Sequence, residues 1–327
     1  MGEFDLIKRY FVRQAPRGSG VDLGVGDDCA LLRPQPGMQL AVSTDMLVEG
    51  RHFFPTVDPL RLGHKALAVN LSDLAAMGAQ PLAFTLSLAL PNVDEPWLAA
   101  FAQGLWALSD HTACPLVGGD TTRGPLNISI TVMGQLPPGQ ALLRSAAQVG
   151  DDIYVSGQLG DARLGLEALQ GHIELDQQVL QRCRDRLERP DPRLALGQNL
   201  RGVAHAAADT SDGLVSDLGH VLVASEVAAE LWWPSLWGGG AVSMDVRAQG
   251  LDRARTCVLA GGDDYELVFT APTAHRERVA QAAAAADLRV TRVGRVVART
   301  PGKPLVRVLD EQGLEAVGEW GGYDHFG

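Results

Sequence analysis

The sequence predicts an α/β protein made of two α/β domains, on three observations. The chain has 327 residues, more than one compact domain usually holds. Apolar runs of strand length alternate with stretches of helical period in both halves. Between the halves, PPGQALLRSAAQVGDD (137–152) has turn residues at both ends and reads as a crossing, which divides the chain into 1–137 and 138–327.

In the first half, QLAVSTD (39–45) reads as a strand, Leu60 to Met77 as a helix stopped by Gly78, and Leu82 to Leu90 as a buried strand. A helix from Pro96 to Asp110 follows, then a short strand into GGD (118–120) and a β-rich run, LNISITVMGQ (126–135). In the second half DIYVSG is a strand and DARLGLEALQ a helix, and the Arg-, Asp- and Pro-rich stretch 182–193 reads as a loop before another helix. AHAAADTSDGLVSDLGHVLVAS runs strand, acidic turn and helix, with Leu214, Leu218, Val221, Leu222 and Ser225 on one face. LAGGDDYELVFT turns from a Gly-Gly-Asp-Asp loop into a strand, followed by a helix over 274–286, two more strands and the stretch EWGGYDHFG.

Composition removes several classes of function. A net charge of −11 is the opposite of the basic face that a phosphate backbone requires, so no nucleic-acid partner is expected. The longest apolar stretch, PLAFTLSLALP (81–91), is too short to span a bilayer, and MGEFDLIKRYF lacks a signal-peptide core, so a cytoplasmic protein without membrane contact is expected. Cys29, Cys114, Cys183 and Cys257 form no CxxC pair, which argues against a zinc site or a disulfide scaffold. Asp outnumbers Glu by 26 to 13, and many of these Asp lie in Gly- and Ser-rich joints rather than on charged helix faces.

Asp73 stands apart from the others. In the helix over 60–77, Arg61, Lys65 and Ser72 define a solvent stripe, whereas Asp73 lines up with Leu62, Ala66, Val69 and Met77. A carboxylate on an apolar stripe is costly unless it is paired or binds a metal, and no basic residue lies one turn away, so its partner comes from elsewhere. Asp28 follows a glycine turn, Asp45 and Asp120 end the strands VSTD and VGGD, and Asp209 and Asp212 lie in DTSDG, at the strand ends where α/β sheets gather ligands. Hard oxygen ligands of this kind suit Mg²⁺ or Mn²⁺, with the hydroxyls of Ser43, Thr44 and Ser211 as neutral ligands or phosphate contacts. Several such ions in one site bring polyanions together, as in phosphoryl transfer between two phosphorylated molecules; calcium binding or a two-metal phosphatase fits the same carboxylates. The chain has no GxxxxGK[ST] and no HRD and DFG set, which excludes P-loop enzymes and protein kinases.

Nine stretches in order, GEFDLI, GVGDDCALL, STDMLVEGRHF, KALAVNLSDLAAMGA, GGDTTRGPL, LLRS, DTSDGLVSDLGH, GGDDYEL and WGGYDHF, closely resemble those of the thiamine-monophosphate kinases. That family lies in a superfamily with aminoimidazole ribonucleotide synthetase, selenophosphate synthetase and the hydrogenase-maturation dehydratase. The resemblance implies two α/β domains of the aminoimidazole ribonucleotide synthetase-like type, the first forming a sheet or barrel at a homodimer interface, the second closing over nucleotide. It also implies transfer of the γ-phosphoryl of ATP to thiamine monophosphate, giving thiamine diphosphate and ADP. By the same carry-over, Asp28, Ser43, Thr44, Asp45, Asp73, Asp120, Asp209 and Asp212 hold several magnesium ions. Gly119, Asp120, Arg144 and Ser211 face ATP, while His52, Asp263 and Tyr323 face the thiamine phosphate. Asp45, Asp73, Asp120, Asp212 and Arg144 carry the catalytic role. The family often has Glu where Asp263 stands.

A phosphate acceptor, with a second pKa of about 6, is largely ionised near neutrality, so no general base is required. The expected reaction is direct in-line attack on the γ-phosphorus without a phosphoenzyme, with the planar fork of Arg144 bracing the transferring charge. Tyr323 and Trp320 offer π faces to a cationic aromatic substrate, while Trp232, Trp233 and Trp237 read as packing. No Cys precedes Asp27, which counts against selenophosphate synthetase, and YDHFG lacks the C-terminal cysteine of the hydrogenase-maturation relative. The alternatives that remain are an aminoimidazole ribonucleotide synthetase-like ligase and a non-catalytic nucleotide- or metal-binding protein.

Overall fold

The computed structural model describes residues 2–16, 18–316, 318, 320 and 321, so Tyr323, expected at the substrate, lies outside the described residues. Two units make up the chain: Met1–Leu74 with Ala79–Gly139, and Ala75–Gly78 with Gln140–Gly327.

In the first unit, α1 (Glu3–Tyr10) and a pair of short antiparallel strands, β1 (Val21–Leu23) and β2 (Leu31–Leu32), come before the main elements. These are β3 (Gln39–Val48), α2 (Pro59–Ala76), β4 (Gln80–Leu90), α3 (Glu95–Thr112), β5 (Leu116–Arg123) and β6 (Asn127–Leu136). The sheet runs β3-β6-β4-β5, so β3 and β5 are its edges. β4 pairs with β5 in parallel and with β6 antiparallel. The stretch PLAFTLSLAL becomes β4, with Phe84 and Leu88 fully buried against Ile128 and Ile130. α3 starts where the Asp94 carboxylate accepts the Trp97 amide at 3.1 Å, a side-chain N-cap. α2 and α3 cross backbone to backbone: a Cβ on Gly104 would stand 1.8 Å from the Leu60 carbonyl oxygen, so only glycine fits.

The solvent stripe expected on α2 is not there. Lys65 is 3% exposed and Ser72 fully buried, because α2 is enclosed on nearly every side. Burial all round leaves no polar face for a moment to report, and Asp73 is instead one of the few half-exposed positions on the helix.

The second unit contains β7 (Asp152–Ser156), α4 (Asp161–Leu169), α5 (Gln177–Glu188), α6 (Leu194–Asn199), β8 (Ala206–Asp209), α7 (Leu214–Ala224) and β9 (Val227–Trp232). After these come α8 (Trp233–Gly239), α9 (Met244–Arg247), α10 (Leu251–Ala260), β10 (Leu267–Ala271), α11 (Arg276–Ala285), β11 (Val290–Ala298) and β12 (Val306–Leu309). The sheet order is β12-β9-β11-β7-β10-β8, antiparallel except for β12 with β9. Ile153, Val155, Val268, Val293 and Val296 turn to one core with Leu214, Leu218, Val221 and Leu222 of α7. Tyr154, Leu267 and Phe269 turn to a second core with Leu196 and Val279. The same first core takes Trp233, with Trp237 packed against it, as the packing reading of these tryptophans expects.

The loop expected over 182–193 is helical as far as Glu188. Asp176 caps α5 by accepting the Gln178 amide, Arg184 pairs with Glu188 one turn on, and Cys183 and Leu187 give the helix its buried face. Charge density alone therefore misread it; only Pro190 ends the run. Among the described residues no helix is long and apolar enough to cross a membrane.

Candidate active site

In the first unit the acidic residues hang on regular elements. Ser43 and Asp45 share one face of β3, and the Ser43 hydroxyl donates to Asp73 Oδ2 of α2 at 2.5 Å. Asp73 thus finds an oxygen partner from another element. Asn70, almost fully buried on α2, accepts the Asp45 amide through Oδ1 at 2.9 Å and donates to the Ala66 carbonyl, which locks β3 to the helix. Thr44 points to the opposite face, where its hydroxyl lies 2.7 Å from that of Thr131. Asp45 and Asp120 do not end their strands: Asp45 is paired with Ile130 inside β3 and Asp120 with Ser87 inside β5. Both strands continue because their partners β6 and β4 are long. Gly119, before Asp120, has φ of +146° and a Cβ there would meet the Leu86 carbonyl oxygen at 1.8 Å, so the residue type is dictated by the close strand.

His52 closes the turn after β3. Its amide donates to the Val48 carbonyl, and its Nδ1 accepts the Val48 amide, each at 3.0 Å. An amide cannot accept, so the neutral ring carries its proton on Nε2. Asp28 is exposed, and its amide donates to Asp27 Oδ1 of the preceding residue at 2.9 Å.

In the second unit the DTSDG stretch is held by its backbone. Asp209 ends β8 and is buried. The Thr210 amide donates to the Glu266 carbonyl and the Glu266 amide to Thr210 Oγ1, the Tyr265 amide donates to the Thr210 carbonyl, and the Asp263 amide donates to the Ser211 carbonyl at 2.8 Å. Asp263 and Tyr265 take φ of +65° and +50°, conformations uncommon for non-glycine residues and stabilised by these bonds. From the other side, Asp217 Oδ2 accepts the amides of Asp212 and Gly213 at 3.0 and 3.1 Å. Burial pushes Asp217 up to about 7, with the two amides pulling the other way.

Two further buried carboxylates back the same loop. Glu266 is fully buried and bound by Arg186 (2.7 Å), Arg193 and Ser156; burial acts to raise its pKa, yet these donors hold it below the usual range. Asp264 accepts the Gly160 amide, and burial pushes it well above the usual range. Arg144 opens a single-turn 3₁₀ helix, and its carbonyl accepts the Ser225 hydroxyl at 2.7 Å.

The structure therefore brings Ser43, Asp45 and Asp73 together in one unit, and Asp209, Ser211, Asp212 and Asp263 in the other. Among the described residues no group of three or more His, Cys, Asp or Glu side chains converges on one point. The supports that sequence reasoning missed are Asn70, Thr210, Asp217, Asp264 and Glu266. Asp217 alone left a signal, since it recurs in VSDL as Asp73 does in LSDL.

Residues 26–136 match the family model described as AIR synthase related protein, N-terminal domain. Over 326 residues the chain is 45% identical to the thiamine-monophosphate kinase of Salmonella typhimurium, covering 99% of this chain and 98% of that one. Its structure is similar to the crystal structure of thiamine-monophosphate kinase from Stenotrophomonas maltophilia K279a, with a TM-score of 0.83 and 46% identity over 92% of this chain and 93% of that one. It is also similar to AaThiL complexed with AMPPCP and TMP, with a TM-score of 0.76 and 29% identity over 90% of this chain and 89% of that one.

Proposed function

The chain belongs to the thiamine-monophosphate kinase family, and from that premise we infer that it phosphorylates thiamine monophosphate with ATP, giving thiamine diphosphate and ADP. The observation that carries this reading is 45% identity in an alignment that covers 99% of the chain and so spans both units.

An oxygen of the acceptor phosphate forms the new bond to the γ-phosphorus as the bond to the β,γ-bridging oxygen breaks and ADP leaves with that electron pair. The acceptor arrives ionised, so the residues need only align and neutralise. The donor set is all oxygen, as Mg²⁺ requires, and Mg²⁺ commonly takes one or two carboxylates with substrate phosphates rather than a protein cage, a demand met by Asp73 with Asp45 and Ser43, and by Asp209 with Asp212. Asp28, Thr44 and Asp120 would be further ligands, and Mg²⁺ held by these residues would offset the repulsion between the two polyanions. Arg144 braces the transferring phosphoryl group, Gly119, Asp120 and Ser211 line the nucleotide, His52 offers its Nε2 proton to the acceptor phosphate, and Asp263 and Tyr323 take the thiamine portion.

The protein acts as a cytoplasmic homodimer. The outer face of edge strand β3 supports the pairing: Leu40, Val42 and Met46 are 55%, 62% and 54% exposed, an apolar stripe suited to a second copy.

The experiment is ADP release from ATP and Mg²⁺, with and without thiamine monophosphate, while thiamine diphosphate is followed by chromatography. Equal, metal-dependent formation of both products is expected. ATP binding without thiamine diphosphate discards the substrate assignment.

A further inference from the structure

α7 has a bond to a functional segment at each end, and the bond at its C-terminal end has no role in the reaction as described so far. Ser225 caps the helix, and its hydroxyl does two things at once. It donates to the Arg144 carbonyl at 2.7 Å and accepts the Ala147 amide at 3.0 Å. The segment it spans is the single-turn 3₁₀ helix Arg144–Ala146, too short to hold itself, since it supplies almost no internal hydrogen bonding. At the opposite end Asp217 holds the amides of Asp212 and Gly213. Between the two lie Leu218, Val221 and Leu222, all buried in the core, so the helix cannot slide or turn. The 144–146 turn packs against β8, whose last residue is Asp209, as well as against α7.

We propose that Ser225 is a positioning residue for phosphoryl transfer: through its paired bonds to the Arg144 carbonyl and the Ala147 amide, it fixes the backbone from which the Arg144 guanidinium extends, with α7 as the rigid spacer to the 209–213 loop. The inference rests on the role given to Arg144 above. Loss of the hydroxyl leaves the core of α7 untouched and lets the 144–147 turn drift. Its cost therefore falls on kcat rather than on folding or on KM for thiamine monophosphate.

A double-mutant cycle tests it, with kcat, both KM values and the thermal midpoint measured for the wild type, Ser225→Ala, Arg144→Ala and the double variant. Ser225→Ala should lower kcat about 10-fold, the worth of one well-made hydrogen bond, and Arg144→Ala by more. The double variant should match Arg144→Ala, because a positioning bond has nothing left to position. Ser225→Thr, which keeps the hydroxyl, should recover most of the rate, and Ser225→Cys, of nearly equal shape with a weak donor, should resemble Ser225→Ala if the alanine variant folds poorly. An equal loss from Ser225→Ala with and without Arg144 overturns the proposal, as does full activity of both Ser225→Ala and Ser225→Cys beside a crippled Arg144→Ala. An undiminished Arg144→Ala overturns it as well, and is recognisable from that single variant as a failure of the Arg144 assignment itself.

Discussion

The same three letters occur at two places with different surroundings: SDL at 72–74 in α2 and SDL at 216–218 in α7. Both leucines are buried, and both Asp are short carboxylates on a helix. Asp73 stands late in α2, where every nearby amide already has its helical partner, so its carboxylate looks to another element and meets the Ser43 hydroxyl. Asp217 stands in the first turn of α7, beside amides that the helix leaves unmade, and it takes those of Asp212 and Gly213. Distance from the helix start decides the partner: the late Asp is left to a group from another element, and the early one is consumed by the backbone.

The largest effect follows from the late Asp. Asp73→Asn keeps an acceptor for Ser43 but loses the charge, and kcat should fall on the order of 10²–10³-fold with the thermal midpoint retained. Steady-state ADP release and a melting curve on one preparation check it; normal kinetics would break the comparison at its first term.

Next comes Asp264, which resembles Asp217 in serving a backbone amide, here Gly160, and differs in being faced by Arg186, Asp161 and Glu266. Its folded pKa is raised above 3.8, so between that value and the raised one the native state keeps a proton that the unfolded chain has released. Stability then falls as pH rises through that window, by at most about 1.4 kcal/mol per pH unit for one proton. Asp264→Asn removes this contribution. Urea midpoints of the two proteins from acid to neutral pH should diverge in favour of the variant as pH rises; parallel curves would show that folding leaves the titration of Asp264 unchanged.

Much of the architecture is legible in the letters, because periodicity reports it directly. β3, β4, α2 and α3 follow from apolar spacing, and the buried strand PLAFTLSLAL needs nothing else. The acidic stretches are legible too, as Asp in Gly- and Ser-rich joints. Periodicity fails wherever both faces of an element are covered, as on α2, where Lys65 and Ser72 are buried. It fails also where charges pair along a helix, as for Arg184 and Glu188 in α5. What holds the joints was not legible at all, since the partners of Thr210, Asn70 and Asp264 come from distant positions and depend on backbone amides that no residue type announces.

The smallest effects sharpen the contrast most. Asp217→Ala leaves the amides of Asp212 and Gly213 without an acceptor, at a cost of about 1–3 kcal/mol, read as a lower urea midpoint. Asp217→Asn is different. Its side-chain carbonyl accepts both amides as the carboxylate did, and a neutral amide in a buried place gives up the desolvation that pushes the acid up to about 7. Its midpoint should stay within about 1 kcal/mol of the wild type and kcat should be kept, because the backbone reads an acceptor and not a charge. The same chemical change, Asp to Asn in the same Ser-Asp-Leu context, is thus expected to abolish turnover from α2 and to pass almost unnoticed in α7. Should Asp217→Asn instead lose turnover as Asp73→Asn does, with the fold intact, Asp217 contributes its charge to the reaction, and position along the helix is not what separates the two.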